Sequence, residues 1–146
     1  MTRLDRDTFG IVLLAKNAHI HGILNNFLAE DKIQKTYHAL VFGGPEEDSG
    51  TIDAPIARRE PPSLIRYVSD SGKPCRTEYT RLESRDRYSL LELHPVTGRT
   101  HQLRVHCAHI GFPILGDPQY GNEGSLALSR EMGIETQALC AGKLEF

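Results

Sequence analysis

The sequence predicts an α+β domain built on a mixed, mainly antiparallel sheet with flanking helices. Three observations lead there: strand-like runs outnumber helical ones, two of them alternate polar and apolar residues across a short polar turn, and no regular strand–helix–strand repeat occurs. At 146 residues the chain has the size of one domain, 1–146. A domain of that length buries roughly 68–70% of the surface its unfolded form exposes, so a core of its own is expected.

Residues 10–16 contain the unbroken apolar run Ile11-Val12-Leu13-Leu14 and read as a buried strand. Asn17 is placed to cap a helix in which Ile20, Ile23, Leu24, Phe27 and Leu28 share one face, with a polar stop at Glu30-Asp31-Lys32. Residues 36–42 read as a strand closed by Gly43-Gly44-Pro45, and 51–56 as a shorter one. Residues 57–64 hold Arg58-Arg59-Glu60-Pro61-Pro62 and read as a basic loop, because adjacent prolines remove donors and keep the backbone extended. Residues 75–83 and 88–94 alternate on either side of a polar turn at 84–87, the signature of an antiparallel hairpin. Residues 99–110 read as a helix with Thr100 as its cap, stopped by Gly111 and Pro113, and 136–146 as a last strand. The chain opens inside a loop-like motif and closes on Leu144-Glu145-Phe146, so it reads as a partial domain with sheet neighbours missing.

Hydrophobic residues at 39% and charged residues at 25% exclude a disordered or fibrous chain. The apolar runs fall far short of the roughly 20 residues a membrane span needs, and no secretory leader opens the chain, so the expectation is a cytoplasmic protein with no membrane partner. Cys75, Cys107 and Cys140 are odd in number and widely spaced, which predicts free thiols and no zinc ribbon. The formal charge of −2 conceals an uneven distribution: acids gather at residues 46–48, whereas eight cations from Arg58 to Arg87 meet only five acids. A local basic face able to follow phosphates is compatible with that balance.

Two polar constellations stand out. Arg3-Leu4-Asp5-Arg6-Asp7-Thr8 sets a carboxylate between two guanidinium groups, and neighbouring cations favour its ionised, nucleophilic form; the competing reading is a solvated surface pair. Residues 94–106 gather Thr97, Gly98, Arg99, Thr100, His101 and Arg104 where a strand passes into a helix, a place where free backbone donors and fixed positive charge receive an anion. His101, His106 and His109 do not share a helix face and no carboxylate joins them, so no metal is expected, and a histidine-based metal hydrolase is the distant alternative. By residue type Tyr37 reads as a half-buried strand tyrosine, His101 as a cap or backbone contact, and Asp117 as a turn residue before Pro118 rather than a group that orients basic side chains.

Taken in order, Arg3-Leu4-Asp5-Arg6-Asp7-Thr8-x-Gly10, Lys35-x-Tyr37-x-Ala39-Leu40-Val41-x-Gly43, Gly98-Arg99-Thr100-His101-Gln102-Leu103-Arg104-Val105-His106 and Gly116-Asp117-x-x-Tyr120-Gly121 make the chain resemble the RluA-type pseudouridine synthases. Pro55-Ile56-x-Arg58 and Gly72-Lys73-Pro74 also look like family segments, whereas Thr2 and Phe9 stand where family members commonly carry His and Ser. The resemblance implies an RNA uridine isomerase that needs no cofactor. It implies Asp5 as the catalytic aspartate, Tyr37 as the residue stacked on the target base, and Arg104 as the cation paired with Asp5. Arg3, Arg6, Arg58, Arg99, His101 and Leu103 are then the residues expected to meet ribosomal or transfer RNA, Leu103 as part of an apolar wall. A non-catalytic RNA-binding fragment is the alternative, and a homodimer is the assembly expected for a partial domain.

Overall fold

The computed structural model describes residues 2–146 and resolves the predicted class into eight strands and three helices. The main sheet has six strands, β1 (Phe9–Gly10), β2 (Gln34–Phe42), β3 (Ser49–Asp53), β6 (Arg76–Ser84), β7 (Tyr88–Pro95) and β8 (Leu139–Glu145), in the order β1-β8-β2-β7-β6-β3. The β1–β8 pair is parallel and every other pair antiparallel. A second sheet is the small hairpin of β4 (Ile56–Arg58) and β5 (Arg66–Val68). The helices are α1 (Ala18–Ala29), α2 (Gln102–His109) and α3 (Glu123–Met132), and none among the described residues is long and apolar enough to cross a membrane.

The alternating segments behave as their pattern demands. The β6–β7 hairpin forms, with a register slip at Leu82, and β2 places Ala39 and Val41 opposite Leu91 and Ser89. Ala39, Val41, Leu91 and Leu93 meet Leu103 and Cys107 of α2, Ile114 and Leu139 in the main core. Burial pushes the Cys107 thiol up to about 12, so it is packed apolar volume and no nucleophile.

Four expectations need correction. The apolar run at 10–16 is not a buried strand: only Phe9–Gly10 joins the sheet, and Ile11, Val12 and Leu14 are exposed. After the Ile11 amide bonds the Ala141 carbonyl, the chain leaves the edge and turns back on Thr2, which exchanges hydrogen bonds with Leu13. The segment 51–56 splits, its first half pairing with β6 and its last residue opening β4, because Ala54 and Pro55 lie between two different sheets. The basic segment 57–64 is accordingly not a loop throughout: Ala57 and Arg58 belong to β4 and pair with Tyr67 and Arg66 of β5, and only the residues after them form the connection. Helix α2 begins at Gln102, with His101 in the left-handed conformation as its cap residue and no side-chain cap bond, so Thr100 does not cap it.

Helix α2 is buried on every side from Gln102 to Cys107 although its sequence is polar. Leu103 and Cys107 face the main sheet, while Val105 packs with Ile56, Cys75, Val68 and Tyr120 beneath the small hairpin. A helix between two layers can keep polar residues only if each is bonded. Gln102 receives the Arg99 amide and the Thr97 hydroxyl and donates to Thr77 and the Arg76 carbonyl; His106 sits between Thr77 and the Ala54 carbonyl at 2.8 Å from each. Among the described residues no buried side-chain nitrogen or oxygen lacks a partner.

Candidate active site

A cleft of about 280 Å³ opens at the end of the sheet, bounded by the 2–8 segment, β2 and the turn before α2; Arg3, Asp5, Lys35, Tyr37, Arg99 and Leu103 line it. The turn that carries Asp5 closes with the Thr8 amide on the Asp5 carbonyl, and Asp7 takes a positive φ that Asp tolerates better than most residues. That turn aims the Arg6 side chain into solvent, 96% exposed and 4.0 Å from Asp7. The cation facing Asp5 is therefore not a sequence neighbour. It is Arg104, whose Nη1 lies 3.9 Å from Asp5 Oδ2.

Arg104 is held from behind. Asp117 accepts from its Nε at 2.7 Å and Nη2 at 2.9 Å, and Gln119 Oε1 takes Nη2 at 2.7 Å. Burial alone would lower the guanidinium, but the hydrogen bonds and charge of Asp117, with the charge of Asp5, outweigh it and leave the group raised. Asp117 is thus the orienting carboxylate as well as a turn residue, since its Oδ1 also accepts the amides of Gln119 and Tyr120. Gly116 makes this placement possible: its φ is +76°, and a Cβ there would meet the Thr136 carbonyl oxygen at 2.1 Å.

Tyr37 reaches the cleft from β2 next to a ladder slip, where β8 has Gly142 between the partners of Thr36 and Tyr37. Burial first and the charge of Asp5 second push its phenol up, which keeps the ring neutral at physiological pH. Lys35, two residues earlier, also enters the cleft, and burial lowers its ammonium. Gln137, 3% exposed, donates its side-chain amide to the Arg6 carbonyl at 2.6 Å and to Thr8, pinning the turn that presents Asp5.

The structure therefore brings Asp5, Tyr37, Arg104, Arg3, Arg99 and Leu103 to one place. It does not bring Arg6 there. Arg58 lines a neighbouring groove of about 470 Å³ with Arg66 and Lys73, and Gly98 and Arg99 line both this groove and the cleft. His101 is not among the residues that line the cleft; its Nδ1 lies 2.7 Å from the Tyr120 hydroxyl. Gln102, Tyr120 and Gln137 also support the site and are partners that side-chain type alone does not reveal; Gln102 and Tyr120 sit inside the motifs, which is the signal that marks them.

Burial lowers both His101 and His106, so both are neutral in the fold at pH 7. The unfolded chain then takes up protons first as pH falls, and stability present above about pH 6.5, the ordinary histidine value, declines below it. Urea midpoints measured at pH 7.5 and 5.5 are expected to be lower at the acid value, and less so in His106→Gln; equal midpoints in the parent chain would contradict the burial.

Comparison with known proteins adds the following. Residues 1–109 match the model of a family described as RNA pseudouridylate synthase. An RNA pseudouridine synthase of Chloroflexus aurantiacus is 47% identical over 130 residues, 88% of this chain and 41% of that protein. The ribosomal large subunit pseudouridine synthase C of Vibrio cholerae is 39% identical over 144 residues, 99% of this chain and 45% of its own. The solved structure of human RNA pseudouridylate synthase domain containing 1 superposes with a TM-score of 0.84 at 32% identity, covering 98% of this chain and 61% of that one. The chain spans about half the length of these two curated relatives.

Proposed function

We propose that this chain, which belongs to the RNA pseudouridylate synthase family, isomerises uridines of ribosomal or transfer RNA to pseudouridine with Asp5 as its catalytic residue. The observation that carries the reading is the pairing of a quarter-exposed Asp5 with the buried, back-braced Arg104 in a cleft that also holds Tyr37. The reaction breaks the N1–C1′ bond, turns the uracil and joins C5 to C1′; the C5 proton goes to solvent and N1 gains one. Asp5 acts at the sugar, either attacking C1′ or taking the 2′ proton. Arg104 faces that carboxylate when RNA displaces water, an attraction on the order of 4 kcal/mol for unit charges near 4 Å at an effective dielectric of 20. Tyr37 offers a neutral ring to the detached base, with Leu103 behind it in the apolar wall.

The target nucleotide must leave its stack, at a cost of a few kcal/mol that phosphate contacts offset. Arg3 and Arg99 at the cleft, and Arg58, Arg66 and Lys73 along the adjoining groove, are the cations for that role. The name of the Vibrio relative favours a ribosomal target, and we place the protein in the cytoplasm with that RNA. The decisive experiment incubates the chain with RNA carrying tritium at uridine C5. Tritium release is the expected result; RNA binding without release would leave a binding module in place of an isomerase.

A further inference from the structure

Tyr120 lies outside the cleft, yet three parts of the site converge on it. Its hydroxyl accepts the Arg66 amide at 3.0 Å, at the first residue of β5. The same oxygen lies 2.7 Å from His101 Nδ1, immediately before α2. Its ring carries the Arg104 guanidinium on one face, with Cζ 5.0 Å from the centroid, and meets the His101 ring edge-on at 5.6 Å. Its own amide is fixed by Asp117, the partner of Arg104.

We propose that Tyr120 is a positioning residue that couples the basic β4–β5 hairpin to the Arg104 guanidinium, so that RNA held on the hairpin and the pairing of Arg104 with Asp5 share one joint. The proposal rests on the functional reading above for its kinetic arm only.

The hydroxyl has one proton and two lone pairs. One lone pair receives the Arg66 amide, and the 2.7 Å contact with His101 Nδ1 uses the proton or the second lone pair according to the imidazole tautomer, so the hydroxyl bonds both groups at once in either case. The hydroxyl thereby ties the hairpin base to the residue that opens α2. The ring does a separate job. Asp117 and Gln119 fix Nε and Nη2 of Arg104, and the Tyr120 face limits tilting of the guanidinium plane, which leaves Nη1 aimed at Asp5. The hairpin needs such an anchor: a ladder of three residue pairs is not independently stable, and its apolar hold is confined to Ile56 and Val68 against Cys75, Val105 and Tyr120.

Two substitutions separate hydroxyl from ring. Tyr120→Phe deletes only the hydroxyl. Amide hydrogen exchange of Arg66 and the rest of β4–β5 is expected to quicken by about 5- to 10-fold, the scale of one net hydrogen bond, with α2 amides unchanged. The RNA concentration for half-maximal release should rise by a similar factor at unchanged kcat. Tyr120→Leu deletes the ring as well and is expected to lower kcat in addition, in a chain whose circular dichroism stays that of the parent. Unchanged hairpin exchange in Tyr120→Phe would overturn the joint, as would identical kinetic losses in the two variants. Should Tyr120→Leu fail to fold, the exchange and KM results of Tyr120→Phe decide alone. If the parent chain releases no tritium, the functional reading has failed, and exchange together with RNA affinity in Tyr120→Phe still decides the coupling.

Discussion

Asp5→Asn is expected to cut tritium release from C5-labelled RNA by about 10³-fold or more, while RNA affinity and the unfolding midpoint stay close to those of the parent. The size follows from the role. An amide of the same shape can neither attack C1′ nor hold the 2′ proton, and removal of a positioned acid or base typically costs 10²- to 10⁴-fold, more when the group also forms the covalent bond. Stability should be spared because Arg104 keeps its main partner: Asp117 holds it at 2.7 and 2.9 Å, whereas Asp5 stands 3.9 Å away with 24% of its side chain exposed. Release unaffected by the substitution would remove Asp5 from the chemistry, and a large fall in midpoint would show that its role is structural.

What the sequence made legible divides along a physical line. Local signals were readable: Asn17 caps α1 by accepting the Ile20 amide, and the alternation of β6 and β7 yields the hairpin it announces. Signals that depend on a distant partner were not. The run Ile11 to Leu14 carries a strand's composition but contributes no residue pair to the sheet, whose parallel edge stops at Gly10, because β8 continues along β2 and leaves it behind. Helix α3 is opened by an Asn122–Ser125 capping box instead of the Ser/Thr with Glu/Gln pattern, and Gly124 and two serines blur its periodicity, so it left little trace in the sequence. Gly124 is there for packing, since a Cβ would lie 2.6 Å from the Phe42 ring.

The site shows the same division. Motif order marked Asp5, Tyr37 and Arg104, and their convergence is a matter of topology. Adjacency alone points to Arg6, but Arg6 follows Asp5 in a tight turn and a turn sends consecutive side chains apart; the motif order points instead to Arg104, which lies 3.9 Å from Asp5. The supporting amides of Gln102 and Gln137 carry no periodic pattern; they exist to satisfy groups delivered by other elements.

Asp117→Ala is expected to be the most destabilising single change at the site, by about 3–5 kcal/mol, the range for breaking one partner of a buried ion pair. Arg104 is 4% exposed, and without Asp117 it keeps Gln119, the Tyr120 ring face and the more distant Asp5. For a chain of this length such a loss lowers the unfolding temperature by roughly 10 °C or more. Activity should fall further than unfolding explains, because an Arg104 freed from behind is drawn onto Asp5 and ties up the carboxylate meant for the sugar. The double variant Arg104→Met/Asp117→Leu separates the two effects. Exchanging both charges for apolar volume removes the unpaired ion, so stability should recover well above that of Asp117→Ala. The recovery is incomplete, since the amides of Gln119 and Tyr120 lose their acceptor and must turn to water. Release from C5-labelled RNA should nonetheless stay as low as in the single variant, because Asp5 then faces no cation. Activity returning with stability would show that the pair is scaffolding alone, and a double variant no more stable than Asp117→Ala would show that the carboxylate matters for the amides it receives more than for the charge it neutralises.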